Sequence, residues 1–357
     1  IDGDFTPKQV DECIIGSVAF GGAQLGNTAA ILTEHTGMRG VSTRRVENAC
    51  ASSGFALRDG IMAIKSGQAD VVVVGGIEKM NDLTQERKRF WLGVSGDTEW
   101  ELLSGLTFPG TYALMARRHF HEYGSEHDDL VNISVKNHEH GSKNPKAHIQ
   151  KIVDFEKAKN GFMVADPLTL YDCCPTSDGA SCVVLARDDI AHTFTDTPIW
   201  VQGSGGASDY LALHDRPSLT ELQATKMASK NAYEAAKCTP QDIDFAEVHD
   251  CFTIAELMAT EDLGFTKKGD GGLFAREGRG RLNEGEVTIN PSGGLKSKGH
   301  PLGATGTGQV VEVFHQLRHQ VEASRQVTDA ERALTHNVGG SGATCAVHIF
   351  GRDRPVN

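Results

Sequence analysis

Residues 47–76 read ENACASSGFALRDGIMAIKSGQADVVVVGG, and this stretch decides the class of the fold. Phe55, Leu57, Ile61, Met62 and Ile64 supply an apolar helical face, Arg58 and Lys65 the wet side, and Gly67 the stop, so residues 51–66 are predicted to form a helix. Val71-Val-Val-Val is a continuous β-branched run ending in Gly75 and Gly76, the mark of a strand buried on both faces. A helix followed by a doubly buried strand predicts a layered α/β architecture. Cys50 stands immediately before that helix, where unpaired backbone N–H groups and the positive end of the helix dipole favour a thiolate. The small residues that follow it let a ligand approach. A small buried hydrophobe, the usual fate of a free cysteine, would fit the position equally well.

Working outward, residues 81–166 are rich in His, Lys, Asn and Glu and show little periodicity beyond a helix at 112–123, so they read as an insertion laid over the core. Strand pattern returns at Cys182-Val-Val-Leu-Ala. A second block opens at Ile199-Trp-Val-Gln and repeats the grammar of the first: a strand at 244–248, a helix at 252–263 closed by Gly264, a Gly-rich turn at 293–308 leading into a helix, and a last strand at 344–350. Two α/β halves, 1–190 and 195–357, imply a pseudo-duplicated fold with site loops meeting where the strands end.

The totals agree. At 357 residues the chain exceeds the usual size of one core. A formal charge of −12 argues against a general nucleic-acid binder. Eight cysteines without a CxxC pair argue against zinc-ribbon spacing and a disulfide framework, and fit a reducing, cytoplasmic compartment. No apolar run approaches the ~20 residues of a membrane span. The chain opens at Ile1 without a signal-peptide pattern, so its start reads as truncated.

Three further segments carry chemistry. His300, between Gly299 and Pro301 in NPSGGLKSKGHPLGATG, has little apolar packing to do; with Cys50 it makes the minimum for activated-thiol catalysis, and a capping or solvated histidine is the bland alternative. The run at 303–308 mimics a dinucleotide fingerprint, but its spacing is wrong and no strand precedes it. His249-Asp-Cys251-Phe follows a strand directly, so His249 and Cys251 can both reach a cleft; no partner ligands for a metal stand nearby. The insertion's histidines (119, 121, 127, 138, 140 and 148) lack metal-ligand order and read as solvated loop residues.

ENACASSG (47–54), VVVVGGIEKMND (71–82), LYDCCPTSDGA (170–180), EVHDCF (247–252), NPSGGLKSKGHPLGATGTGQ (290–309) and HNVGGSGA (336–343) occur in this order along essentially the whole chain. Together they resemble the thiolase superfamily, and the HDCF form places the chain near its sterol-carrier-protein-type and archaeal acetoacetyl-CoA branches. The resemblance implies a five-layered α-β-α-β-α fold. It implies that Cys50 is acylated by an acyl-CoA, that His300 takes the thiol proton, that His249 contributes to an oxyanion hole, and that the backbone N–H groups of Cys50 and Gly339 make a second one. Where many thiolases carry a second cysteine in a C-x-G loop, this chain has Asn337-Val-Gly, and Cys251 is the implied substitute. Cys174 and Asn337 are implied to face the substrate, with the 173–174 segment along the pantetheine channel.

For function, the resemblance implies an acetyl-CoA C-acetyltransferase of lipid (mevalonate-type) metabolism, with coenzyme A as substrate, no cofactor and no metal. A homodimer or homotetramer is implied, together with a 3-hydroxy-3-methylglutaryl-CoA synthase and an OB-fold zinc-ribbon protein as partners. A degradative 3-ketoacyl-CoA or sterol-chain thiolase is the enzymatic alternative. A non-catalytic scaffold subunit is the alternative of another class, which retention of Cys50, His249, Cys251 and His300 together argues against.

Overall fold

The structure, a computed structural model, describes residues 5–22 and 25–355; the expectation about the chain's start falls on residue 1, outside them. In the first half β1 (Glu12–Gly16), α1 (Thr28–Thr36), β2 (Ser42–Val46), α2 (Ser52–Lys65) and β3 (Val71–Glu78) alternate. A long excursion follows, through α3 (Gln85–Gly93), α4 (Phe108–Tyr123), α5 (His127–Ser142), α6 (Phe155–Lys159) and a small hairpin, β4 (Met163–Ala165) with β5 (Leu168–Thr169). Then β6 (Gly179–Ala186) joins the first sheet. The second half runs β7 (Trp200–Ser208), α7 (Gln223–Ala236), β8 (Phe245–Glu247), α8 (Thr253–Asp262), α9 (Gly271–Arg276), β9 (Thr288–Ile289), α10 (Gly294–Ser297), α11 (Thr305–Leu317), β10 (Arg332–Gly339) and β11 (Thr344–Gly351).

The duplication is visible in the topology. The first sheet is ordered β2-β1-β3-β6, with two parallel neighbours and then an antiparallel one. Taken from the matching end, the second sheet is β9-β8-β10-β11-β7 and repeats that sequence of parallel, parallel and antiparallel, with β7 added beside β11. Under this correspondence α2 and α11 are equivalent helices, and both lie between the sheets. Alternation along the strands assigns the layers: Ile14, Val72 and Val74 face inward onto Leu57, Val310 and Val313, whereas Cys13, Ile15 and Val73 face outward toward Leu32 and Val184. The second sheet does the same, with Phe245, Ala333 and Phe350 inward and Ala246, Leu334, Val347 and Ile349 outward under α7 and α8. The result is the five-layered arrangement implied by the sequence. Each fully buried valine or leucine in the central layer contributes about 1.5–3 kcal/mol.

The insertion departs from its sequence reading. It is mostly helical, and His119, His138 and His140 are buried rather than solvated. The reason lies in α5, whose buried surface is largely polar: Asp129, Ser134, Lys136, Asn137, His138 and His140 are buried beside Leu130, Val131 and Ile133. Its apolar residues are confined to the first turns, and beyond them burial rests on hydrogen bonds, so no apolar stripe runs the length of the helix. Lys136 pairs with Glu256 at 2.9 Å, Asn137 Nδ2 donates to Asp250 and Glu256, and His140 Nδ1 meets Asn290 O at 3.0 Å. These bonds tie the insertion to the HDCF turn and to the segment before α10. No described helix is long and apolar enough to cross a membrane.

Candidate active site

The Cys50 loop is set by a tight turn ahead of α2. Ala49 is held at φ 48°, a conformation that costs a non-glycine residue on the order of 1–3 kcal/mol and persists only where its surroundings enforce it. Here they do: Ala49 N–H donates to Glu47, and the Ser52 hydroxyl donates to Ala49 O while accepting from Asn48 N–H. This aims Cys50 away from the helix axis into an apolar wall of Val18, Phe20, Met80 and Leu302, with Trp91 behind. Burial pushes the Cys50 thiol up to about 12, with the nearby Cys174 adding to the rise, while the backbone N–H groups of Gly340 and of Cys50 itself pull the other way. The resting group is therefore a thiol.

His300 reaches the same place from the corresponding loop of the second half, just ahead of α11. The two helices can start this close only because Gly54 and Gly306 touch: a Cβ on Gly306 would lie 2.4 Å from Gly54 N. Ser53 Oγ accepts from Thr307 N–H at 3.0 Å across the same contact. His249 arrives from the turn after β8. Asp250 anchors that turn by accepting from Leu295 and Lys296 N–H, and burial beside Glu256 pushes its carboxyl up to about 7. Cys50 Sγ and one ring nitrogen from each histidine lie within 4.8 Å of one another, and the rings meet edge to face with centroids 5.0 Å apart.

The hydrogen bonds behind the rings fix their protons. His300 Nδ1 lies 2.7 Å from Thr305 Oγ1, and that hydroxyl donates its one hydrogen to Pro301 O. Both contacts are satisfied together when Nδ1 is the donor, an arrangement that leaves Nε2 as a bare acceptor. His249 is the reverse: Asn337 Nδ2 lies 3.3 Å from its Nδ1 and can only donate, so the proton sits on Nε2. Burial lowers His300 to about 3 and takes His249 well below its ordinary value, so both rings are neutral. Both Nε2 atoms are buried and have no hydrogen-bond partner among the described residues. A buried acceptor, a buried donor and a thiol thus face one small space. The three side chains are also the donor types of a His₂Cys metal set, brought together from three separate parts of the chain.

The remaining candidates from the sequence lie around this centre. Cys251 is buried; burial is the main cause that lifts its thiol, a Tyr112 hydrogen bond opposes the rise, and the nearby Cys50 adds to it. Cys174 donates its backbone N–H to Cys251 O at 3.0 Å, which lays the 173–176 segment along the site, and Thr176 bridges His300. Asn337 has its amide committed to the protein, to Cys50 O, Gly54 N–H and His249. Gly339 ends β10, and the N–H aimed at the Cys50 sulfur is that of its neighbour Gly340. A Cβ on Gly339 would lie 2.2 Å from Thr344 Oγ1 and 2.4 Å from Asn48 O, so the backbone of the Cys50 loop would have to move. Gly339→Ala is expected to cost about 1–3 kcal/mol of stability by urea unfolding and to lower turnover more than tenfold.

Three functional neighbours escaped the sequence reading. Thr305 follows His300 by five residues in the GHPLGAT run and would be found only by asking what holds the ring. Gly340 was hidden by the adjacent Gly339. Tyr112, whose hydroxyl donates to Gly340 O at 3.1 Å and whose ring stacks on Phe252, lies in the insertion with no signal to mark it.

Residues 2–189 match the family model for the thiolase N-terminal domain, and residues 205–352 match the thiolase C-terminal domain-like model. The chain is 49% identical to the acetyl-CoA acetyltransferase of Methanothermobacter thermautotrophicus over 91% of its own length and 84% of that protein. It is 33% identical to human sterol carrier protein 2 over 96% of its length and 64% of that protein. The solved Ltp2-ChsH2(DUF35) aldolase superposes with a TM-score of 0.85 at 24% identity, covering 99% of this chain and 90% of that one, a likeness of fold.

Proposed function

The chain belongs to the thiolase family, and on that premise we propose that it is an acetyl-CoA acetyltransferase, joining two acetyl-CoA into acetoacetyl-CoA and CoA, or running the reverse thiolysis, through an acyl-Cys50 intermediate. The observation that carries the reading is the neutral triad: a thiol, an acceptor nitrogen on His300 and a donor nitrogen on His249 facing one space. The apolar wall of Phe20, Met80 and Leu302 against Cys50 supports a short acyl group.

His300 Nε2 takes the Cys50 proton as sulfur attacks the thioester carbonyl, and the developing oxyanion is met by N–H donors. The C–S bond to CoA breaks, and the CoA thiolate leaves with the proton of Cys251. This creates an imidazolium and the Cys251 thiolate together; each charge alone opposes burial, and as a pair they offset one another. The Cys251 thiolate then removes an α-proton from the second acetyl-CoA, whose carbon attacks the acyl group. Cys50 leaves as thiolate and recovers its proton from His300.

By analogy with the family, the setting is a cytoplasmic dimer or tetramer in which a 3-hydroxy-3-methylglutaryl-CoA synthase draws off product and so pulls the uphill condensation forward. The test is intact-protein mass spectrometry with acetyl-CoA, followed by peptide mapping. One acetyl group on Cys50 is expected. In Cys251→Ala the adduct should still form, while condensation falls by roughly 10²–10⁴-fold. Unchanged condensation in that variant would remove Cys251 from the mechanism, and no adduct with any acyl-CoA would leave the scaffold reading.

A further inference from the structure

We propose that Asn337 is a positioning residue, one whose side-chain amide holds His249 as a hydrogen-bond donor and so makes the oxyanion contact at Cys50. The purpose of the donor rests on the thiolase reading; the proton position itself does not.

The Asn337 amide has one orientation that satisfies its neighbours. Oδ1 accepts from Gly54 N–H at 3.2 Å, and Nδ2 lies 2.9 Å from Cys50 O and 3.3 Å from His249 Nδ1. Rotating the amide by half a turn would set oxygen against the Cys50 carbonyl and NH₂ against the Gly54 N–H, so two hydrogen bonds forbid the flip. The two hydrogens of Nδ2 are thus directed to Cys50 O and to His249 Nδ1. A neutral imidazole carries one N–H; with Nδ1 accepting, that hydrogen lies on Nε2. No described group competes for it, since His249 Nε2 is buried without a partner and the neighbouring His300 ring stands edge to face at 82°. Asn337 comes from β10, His249 from the turn after β8, and these parallel strands are hydrogen-bonded neighbours, so the contact is held by the sheet.

The same amide also grips both sides of the nucleophile loop, through Cys50 O and Gly54 N. A test must therefore separate proton placement from loop support. Aspartate is the discriminating replacement. It can accept from Gly54 but cannot donate to Cys50 O, so part of the loop support is lost with it; toward His249 Nδ1 it offers only an acceptor, which draws the proton to Nδ1 and leaves Nε2 bare, and the His249→Ala background separates the two effects.

Two measurements decide the matter. The first is neutron diffraction from crystals of the perdeuterated, otherwise unaltered enzyme, which should show a deuteron on His249 Nε2 and none on Nδ1. The reverse pattern overturns the proposal, and this readout depends neither on folding of a variant nor on the substrate being an acyl-CoA. The second is a cycle of Asn337→Asp, His249→Ala and the double variant, scored by acyl-enzyme formation. Asn337→Asp is expected to lower the maximal acylation rate by roughly 10²–10³-fold with KM little changed, the signature of a contact strengthened in the transition state. Most of that loss should vanish in the His249→Ala background. A full, undiminished loss there would show that Asn337 serves only the loop, and would overturn the proposal while leaving the thiolase reading intact.

Discussion

In Cys50→Ala, the acetyl adduct is expected to disappear and turnover to fall by roughly 10⁴–10⁶-fold, the scale seen when the nucleophile of a concerted catalytic group is removed. The substitution is structurally mild. Cys50 is a small side chain against Val18, Phe20, Met80 and Leu302, and truncation to Ala removes one sulfur from a wall that is otherwise retained. Thermal unfolding should therefore shift little, and the variant separates chemistry from folding. None of the other seven cysteines can stand in. Cys174 and Cys251 lie nearby, but the thiol–histidine cluster includes Cys50 alone, and only Cys50 receives the backbone N–H of Gly340. A residual rate within tenfold of the unaltered enzyme, or an adduct that moves to another cysteine, would contradict the assignment.

His300→Ala should produce the second large loss, and with it a change in pH dependence. With burial holding His300 at about 3, the ring is already the free base at any pH above ~4. The thiol it serves is held near 12. Between these limits the unaltered enzyme has its base ready and its thiol protonated, so the acylation rate should be flat with pH. Without His300 the reaction must wait for spontaneous ionisation of Cys50. At pH 7 a group of pKa about 12 is ionised in about one molecule in 10⁵, and the thiolate fraction grows tenfold per pH unit. Acylation by His300→Ala is thus expected to be lower by roughly 10³–10⁵-fold at pH 7 and to rise with a log–log slope near one. Stopped-flow or quenched mass spectrometry from pH 6 to about 9 checks both features. A flat profile in the variant would mean that another group takes the proton. A profile in the unaltered enzyme that climbs through pH 6–9 would mean that His300 is not the base.

Much of this was legible along the chain because the signals were local. The Val71 run and the 51–66 helix pattern depend on neighbours within a few residues; the helix formed within a residue of expectation at each end, and β3 runs past the valines and both glycines to Glu78. Cys50, His249, Cys251 and His300 could be singled out because each stands at a junction between elements, where glycines and small residues mark a turn. The insertion was misread for the opposite reason. Along much of α5 burial is through polar groups: Asn137 and His140 are held by hydrogen bonds whose partners, Asp250 and Asn290, lie more than a hundred residues away. Periodicity measures hydrophobicity, and it is blind to a helix buried through polar groups.

By itself, then, the sequence determined the layered α/β class, the repeat of two halves and the candidate side chains for the site, since each depends on short-range pattern or on the residue type itself. Only the tertiary structure decided which of those side chains meet, and with which proton where. The Gly54–Gly306 contact brings the starts of α2 and α11 together, and so brings Cys50 to His300. Thr305 and Asn337 then give two chemically identical imidazoles opposite roles, one acceptor and one donor. A histidine's tautomer is set by whatever lies behind its ring, and for His249 that partner is 88 residues away in the chain.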